Sequence, residues 1–176
     1  ALRMQHAGAN DVFAAIEHGQ PSLIILDIKG KKQERQIALP QFGQVLSPAW
    51  SPDGHTLAFS ALEGGVTDLY LYDLSKGQLR RLTNDPYADL QPEWSPDGKR
   101  IAFVTDRFSS DLSTLTFGAT ELALVETESG AISALPGLTG SKHLNPQWSS
   151  DGASIHFVAD PDGDERLAWD GLIAGI

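Results

Sequence analysis

The sequence predicts an all-β fold, a β-propeller built from four-stranded antiparallel blades, of which three to four are visible in 176 residues. Three observations predict it. The string Pro48-Ala49-Trp50-Ser51-Pro52-Asp53-Gly54 recurs as Pro92-Glu93-Trp94-Ser95-Pro96-Asp97-Gly98 and as Pro146-Gln147-Trp148-Ser149-Ser150-Asp151-Gly152. Its tryptophans stand 44 and then 54 residues apart, the length of one four-stranded blade. Each copy is followed by a short run rich in Phe, Ile and Leu in which apolar and polar residues alternate, the signature of a strand.

Each part of the repeated unit has a physical reason. Trp carries the largest apolar payload, so one per repeat suits a wedge between neighbouring sheets. Ser-Pro-Asp-Gly is turn chemistry: Pro presets its φ, Asp bonds nearby backbone N–H groups, and Gly accepts the positive φ that closes the turn. Asp53, Gly54, Asp97, Gly98, Asp151 and Gly152 are therefore read as structural repeat positions, together with Trp50, Trp94 and Trp148. The recurring aspartates also invite a catalytic reading, but equivalent turns of different blades are too far apart for a paired acid and base.

Taken in order, residues 1–10 show no clear period and are expected to fray. Blade one is placed at 11–39. Val12-Phe13-Ala14-Ala15-Ile16, which alone suits a short helix as well, is read as a strand from the repeat context. Ser22–Ile28 and Arg35–Leu39 follow, and an innermost strand is missing. Blade two, at 47–82, is complete, and Asp68-Leu69-Tyr70-Leu71-Tyr72-Asp73-Leu74 alternates strictly. Blade three, at 91–135, has ten more residues than blade two, all falling between its second and third strands in Asp106–Thr120. Blade four, at 145–170, weakens after Ala159, with a turn at Asp160–Asp164 and a third strand near Arg166–Trp169. Open blade ends would leave apolar faces uncovered, so the segment is expected to be cut from a longer propeller. Closure as four blades and self-association through the open ends are the alternatives.

With 41% hydrophobic residues the chain can bury a core, and its length suits a single domain. Thirteen Lys and Arg against twenty-three Asp and Glu give a net charge of -10, which argues against nucleic acid and anionic membranes as partners. No apolar run approaches the roughly eighteen residues that a membrane helix needs, so no membrane insertion is expected. No basic leader precedes an apolar segment, so no signal peptide is read in this chain. There is no cysteine, which removes disulfides, zinc thiolates and thiol catalysis.

At Leu82-Thr83-Asn84-Asp85-Pro86-Tyr87-Ala88-Asp89-Leu90-Gln91-Pro92-Glu93-Trp94-Ser95-Pro96-Asp97-Gly98 the pattern becomes specific. It resembles the WD40-like repeat of the TolB-type β-propellers in its strand-end Leu-Thr, its intervening Asp, its Pro-x-Trp and its Ser-Pro-Asp-Gly. The resemblance covers roughly residues 40 to 160. It departs from the pattern where Ser150 replaces Pro and where Val45 and His143 occupy the position of Asp89. It implies a bacterial, often periplasmic or envelope-associated, non-catalytic propeller that docks a protein or peptide partner. Similar repeats also form the gating propellers of tricorn-like and prolyl-oligopeptidase-like serine peptidases, which is the alternative reading.

Loops joining second to third strands and loops joining successive blades share one face, here expected at Asn84–Leu90, Asp106–Thr120 and Gly137–Leu144. Binding chemistry concentrates on such loops. Tyr87, Asp89, Arg107, Phe108 and His143 are the candidate partner-binding residues, since aromatic and Arg side chains anchor interfaces. The competing reading is structural, with Asp89 capping a neighbouring loop and Phe108 and Phe117 pinning the insertion to the body. No catalytic residue, metal or cofactor is assigned. Asp160-Pro161-Asp162-Gly163-Asp164 places Gly and Glu wrongly for an EF-hand, the five histidines show no close ligand spacing, and Gly140-Ser141-Lys142-His143 lacks the setting of a nucleophile elbow.

Overall fold

A computed structural model describes residues 5–7, 10–135, 142–160 and 168–174, all in strands, turns and loops. The strands form four antiparallel sheets in chain order. The first contains β1 (Gln5–Ala7), β2 (Asn10–Glu17), β3 (Gln20–Asp27) and β4 (Lys32–Ala38), and the second β5 (Gln44–Trp50), β6 (Thr56–Glu63), β7 (Val66–Asp73) and β8 (Gln78–Arg81). The third contains β9 (Asp89–Trp94), β10 (Arg100–Thr105), β11 (Glu121–Glu126) and β12 (Ile132–Ala134). The fourth contains β13 (Lys142–Trp148), β14 (Ser154–Asp160) and β15 (Ala168–Ala174).

The core lies between the sheets, and strand alternation puts it there. In β10, Ile101 and Phe103 point toward the second sheet and pack with Ala58, Leu69 and Leu71. The intervening Ala102 and Val104 face the fourth sheet, packing with Ile155, Phe157 and Ala159. A third cluster joins the first two sheets through Val12, Leu23 and Ile25 against Trp50, Leu57 and Phe59. Both faces of a blade are therefore apolar, and the stack of neighbours is what removes them from water.

Two expectations are corrected. Blade one does not lack its innermost strand: β1 pairs with β2 through Gln5↔Val12, His6↔Asp11 and Ala7↔Asn10. The strand escaped the pattern because neither Pro-x-Trp nor Ser-Pro-Asp-Gly marks it. Asp89, Leu90, His143 and Leu144, expected in loops, lie in strands β9 and β13. Residues 137–141 and the 161–165 part of the acidic turn lie outside the described residues.

Each complete innermost strand also carries an irregularity that the sequence reading did not identify. The pairing register shifts between Leu46 and Ala49, and between Leu144 and Gln147; on the partner of β9 it shifts between Ala102 and Val104. Ser47, Gln91 and Asn145 sit at these places with φ of 47, 55 and 52°, each directly before a proline. A bulge bends the strand where its neighbour approaches, and proline has no N–H to leave unpaired there. Asn145 N–H donates to Gln91 Oε1 at 2.7 Å, tying two successive bulges together.

Candidate docking face

The blades have two ends with different chemistry. At the hairpin end, the turns between first and second strands repeat one set of bonds. Ser51, Ser95 and Ser149 each donate from Oγ to Oδ1 of Asp53, Asp97 and Asp151, at 2.5, 2.6 and 2.6 Å. Those carboxylates accept the backbone N–H of His55, Lys99 and Ala153 at 3.0, 3.1 and 3.0 Å. Accepting the serine hydroxyl, and then the backbone donor, holds all three carboxyls below the usual range. Gly54, Gly98 and Gly152 close the turns at φ of 72, 71 and 70°.

Successive turns also touch. A Cβ built on Gly152 would lie 3.6 Å from Pro96 Cδ, so the Pro of one blade covers the turn of the next. Trp94 donates from Nε1 to the Ala49 carbonyl at 3.3 Å, and Trp148 to the Glu93 carbonyl at 3.2 Å. Each indole thus reaches the innermost strand of the preceding blade. Outer-strand arginines point the other way, with Arg35 and Arg80 donating to the Leu74 and Thr127 carbonyls of the following blade.

The loop end differs from blade to blade. In blade two, β6 and β7 join through Gly64 and Gly65 alone, both at positive φ. In blade three the same connection is the 106–120 insertion. At its base Asp89 is fully buried, and Arg107 Nη2 donates to both of its oxygens at 2.9 and 3.0 Å. The same nitrogen reaches Asp85 Oδ2 at 2.9 Å. The guanidinium lies 5.8 Å from the Tyr87 ring centre and 5.7 Å from that of Phe103, within cation–π range of both rings. Burial pushes the Asp89 carboxyl up, opposed by hydrogen bonds from Thr83, Arg107 and Thr105. Burial also works against the Arg107 charge, but Asp89 and Asp85 outweigh it and raise its pKa. The guanidinium therefore keeps its proton, while Asp89 yields its own later than an exposed aspartate would.

Above this base the insertion is held by its own polar groups. Asp106 accepts the Ala88 N–H at 2.8 Å and the Ser110 hydroxyl at 2.8 Å. Ser109 donates to the Ala119 carbonyl, and Ser110 Oγ accepts the Gly118 N–H at 3.0 Å. Asp111 and Thr116 exchange two backbone bonds at 2.8 and 2.9 Å. Gly118 is required by this closure, because a Cβ there would fall 2.4 Å from the Ser109 carbonyl. The result is an ordered platform whose large apolar side chains face water: Phe108, Leu115 and Phe117 are 43, 74 and 72% exposed. Phe117 thus does not pin the insertion to the body, while Phe108 is more than half covered.

The five residues singled out from sequence separate accordingly. Asp89, Arg107 and Tyr87 come together as one node, and Phe108 follows directly at the surface. His143 is not with them: at 1% exposure it lies under the face in β13, its ring 4.8 Å from Phe157. The sequence reading missed Leu115 and a second buried carboxylate, Asp68, which Arg81 contacts and Thr83 Oγ1 reaches at 3.3 Å. An Asp directly before the alternating Leu69–Tyr72 run of β7, with Arg81 closing the strand paired to it, was the available signal. Among the described residues no three His, Cys, Asp or Glu side chains gather as a metal site would need.

Comparison with known proteins agrees with this architecture. The sequence profile of the TolB beta propeller domain matches residues 4–171. The Tol-Pal system protein TolB of Bordetella pertussis is 29% identical over 147 residues, 81% of this chain and 31% of that protein. A shorter similarity, 50% identity over 42 residues, is to the uncharacterized peptidase YuxL of Bacillus subtilis, covering 23% of this chain and 6% of that one. The structure of TolB from Acinetobacter baumannii matches with a TM-score of 0.77 at 22% identity, covering 100% of this chain and 41% of that one. The chain therefore spans about a third of the length of the Bordetella relative. With the profile matched along nearly all of its length, the chain belongs to the TolB beta propeller domain family.

Proposed function

We propose that this chain is a non-catalytic docking segment of a bacterial envelope propeller, and that its protein partner binds the loop end of blades two and three. One observation carries the reading: a hydrogen-bonded insertion holds Phe108, Leu115 and Phe117 in solvent rather than folding them inward. Exposed apolar groups on an ordered scaffold mark interaction sites. A face already shaped before contact also loses little entropy on binding. The family supplies the setting, since the Bordetella relative is named as a protein of the Tol-Pal system. A periplasmic location is part of the same proposal.

The test is biolayer interferometry of the purified chain against the Pal protein of a bacterium carrying such a relative. Phe108→Ser with Phe117→Ser should weaken binding by about thirtyfold or more, since an anchoring aromatic is worth about 2 kcal/mol. Lys76→Ser with Lys99→Ser, at the opposite end, should leave it unchanged. The reverse ranking would move the docking site to the hairpin end.

A second reading rests on the local similarity to the Bacillus peptidase: this segment would be the gating propeller of a larger serine peptidase. The full reading frame decides between them. An α/β-hydrolase domain with its nucleophile elbow, encoded downstream, would establish the peptidase reading.

A further inference from the structure

The charge of -10 is not spread evenly over the blades. Five of the six lysines, Lys29, Lys31, Lys32, Lys76 and Lys99, stand at the hairpin end, in or beside the turns. At the loop end, Arg81 and Arg107 are committed to the buried Asp68 and Asp89. The same two guanidiniums also reach Glu63 at 3.7 Å and Asp85 at 2.9 Å, so two cations stand against four carboxylates. Asp106, Asp111 and Glu121 add to that excess around the insertion, and among the described residues Lys142 is the one further cation of that end. Glu63, Asp85, Asp106, Asp111 and Glu121 are all short of full burial. The exposed Phe108, Leu115 and Phe117 thus share the loop end with a carboxylate excess, its acidic rim.

This combination is selective. Apolar side chains gain by being covered, whatever the sign of the partner's charge. A rim of one sign attracts opposite charge, speeds encounter and rejects like-charged surfaces. Phosphate backbones and anionic headgroups are repelled. A neutral apolar partner would gain nothing from the rim.

Taking the docking reading as its premise, we propose that the occupant is a basic amphipathic protein segment. Its apolar residues would cover Phe108, Leu115 and Phe117 while its Lys or Arg side chains lie against Glu121 and against Glu63 and Asp85, whose charge Arg81 and Arg107 share with Asp68 and Asp89. Asp106 and Asp111 contribute field but are engaged in holding the loop, Asp106 through Ala88 N–H and Ser110, Asp111 through Ser113.

Fluorescence anisotropy of the chain with three labelled peptides of equal length tests this. One is composed of Lys, Leu and Phe, one of Glu, Leu and Phe, and one of Lys, Gly and Ser. The Lys/Leu/Phe peptide should bind at least about tenfold more tightly than either other, and should weaken as salt shortens the Debye length from about 30 to 8 Å. Phe117→Ser should abolish the preference over Lys/Gly/Ser, and Glu63→Gln with Glu121→Gln the preference over Glu/Leu/Phe. Unchanged melting temperatures would show that both variants fold.

Equal, salt-insensitive binding of both apolar peptides, lost in Phe117→Ser, would overturn the basic partner while leaving the platform as a docking site. Equal binding of both lysine peptides, indifferent to Phe117→Ser, would overturn the proposal as diffuse attraction. Binding of none would overturn the segment's stated chemistry, the Pal titration still deciding the docking reading separately.

Discussion

The hairpin end and the loop end of the same blades obey different rules. At the hairpin end, three turns make the same serine-to-aspartate bond at 2.5 to 2.6 Å and place the same glycine at φ of 70 to 72°. At the loop end, corresponding positions hold Val45, Asp89 and His143, and a two-glycine turn in one blade becomes a platform in the next. Repetition marks what every blade needs to stack. Divergence marks where one blade does something the others do not, and there Leu115 and Phe117 of the insertion stand in water.

The contrast breaks most visibly at Arg107. Arg107→Ala leaves Asp89 buried with its principal cation removed, and should cost about 3 to 5 kcal/mol in urea unfolding. A cost below about 1 kcal/mol would mean that water reaches Asp89. Trp94→Ala comes next, at about 3 kcal/mol, because the half-buried indole both packs between blades and bonds the Ala49 carbonyl. Ser95→Ala removes the donor to Asp97 and the acceptor of the Arg100 N–H, and should cost about 1 to 2 kcal/mol. Ser51→Ala should match it, since the two turns are built alike.

Acid should weaken the repeated end. Asp53, Asp97 and Asp151 have folded pKa values below 3.8, so their contribution is fully present above that pH and is lost as pH falls through the lowered values. Asp97→Asn should flatten the acid limb of a plot of melting temperature against pH. The smallest effect on stability belongs to Phe117→Ser, within about 0.5 kcal/mol of the parent, because the ring is already in water.

The repeated end was legible in the sequence because its bonds are local. Ser95, Asp97, Gly98 and Arg100 close on one another within six residues, and the spacing of the tryptophans gives the blade. Strand β1 was not legible, since it pairs by backbone and carries no Pro-x-Trp mark. Neither were the bulges at Ser47, Gln91 and Asn145, whose positive φ answers to the neighbouring strand. At the candidate face the sequence located the insertion through its ten additional residues, and named both partners of the Asp89–Arg107 pair. It could not tell buried from exposed within the set. Asp89 and His143 go under the face because β9 and β13 begin earlier than the tryptophan motif suggests. Leu115 and Phe117 stay outside because Ser109, Ser110 and Asp111 spend their bonds on shaping the loop.

Hydrogen exchange measured with and without bound partner tests the central claim most directly. Slowed exchange confined to residues 84–88 and 107–120, with the Ser51–Gly54 and Ser95–Gly98 turns unchanged, is the result expected of docking on the divergent end. Protection of those turns, with 107–120 exchanging as in the free chain, would contradict it.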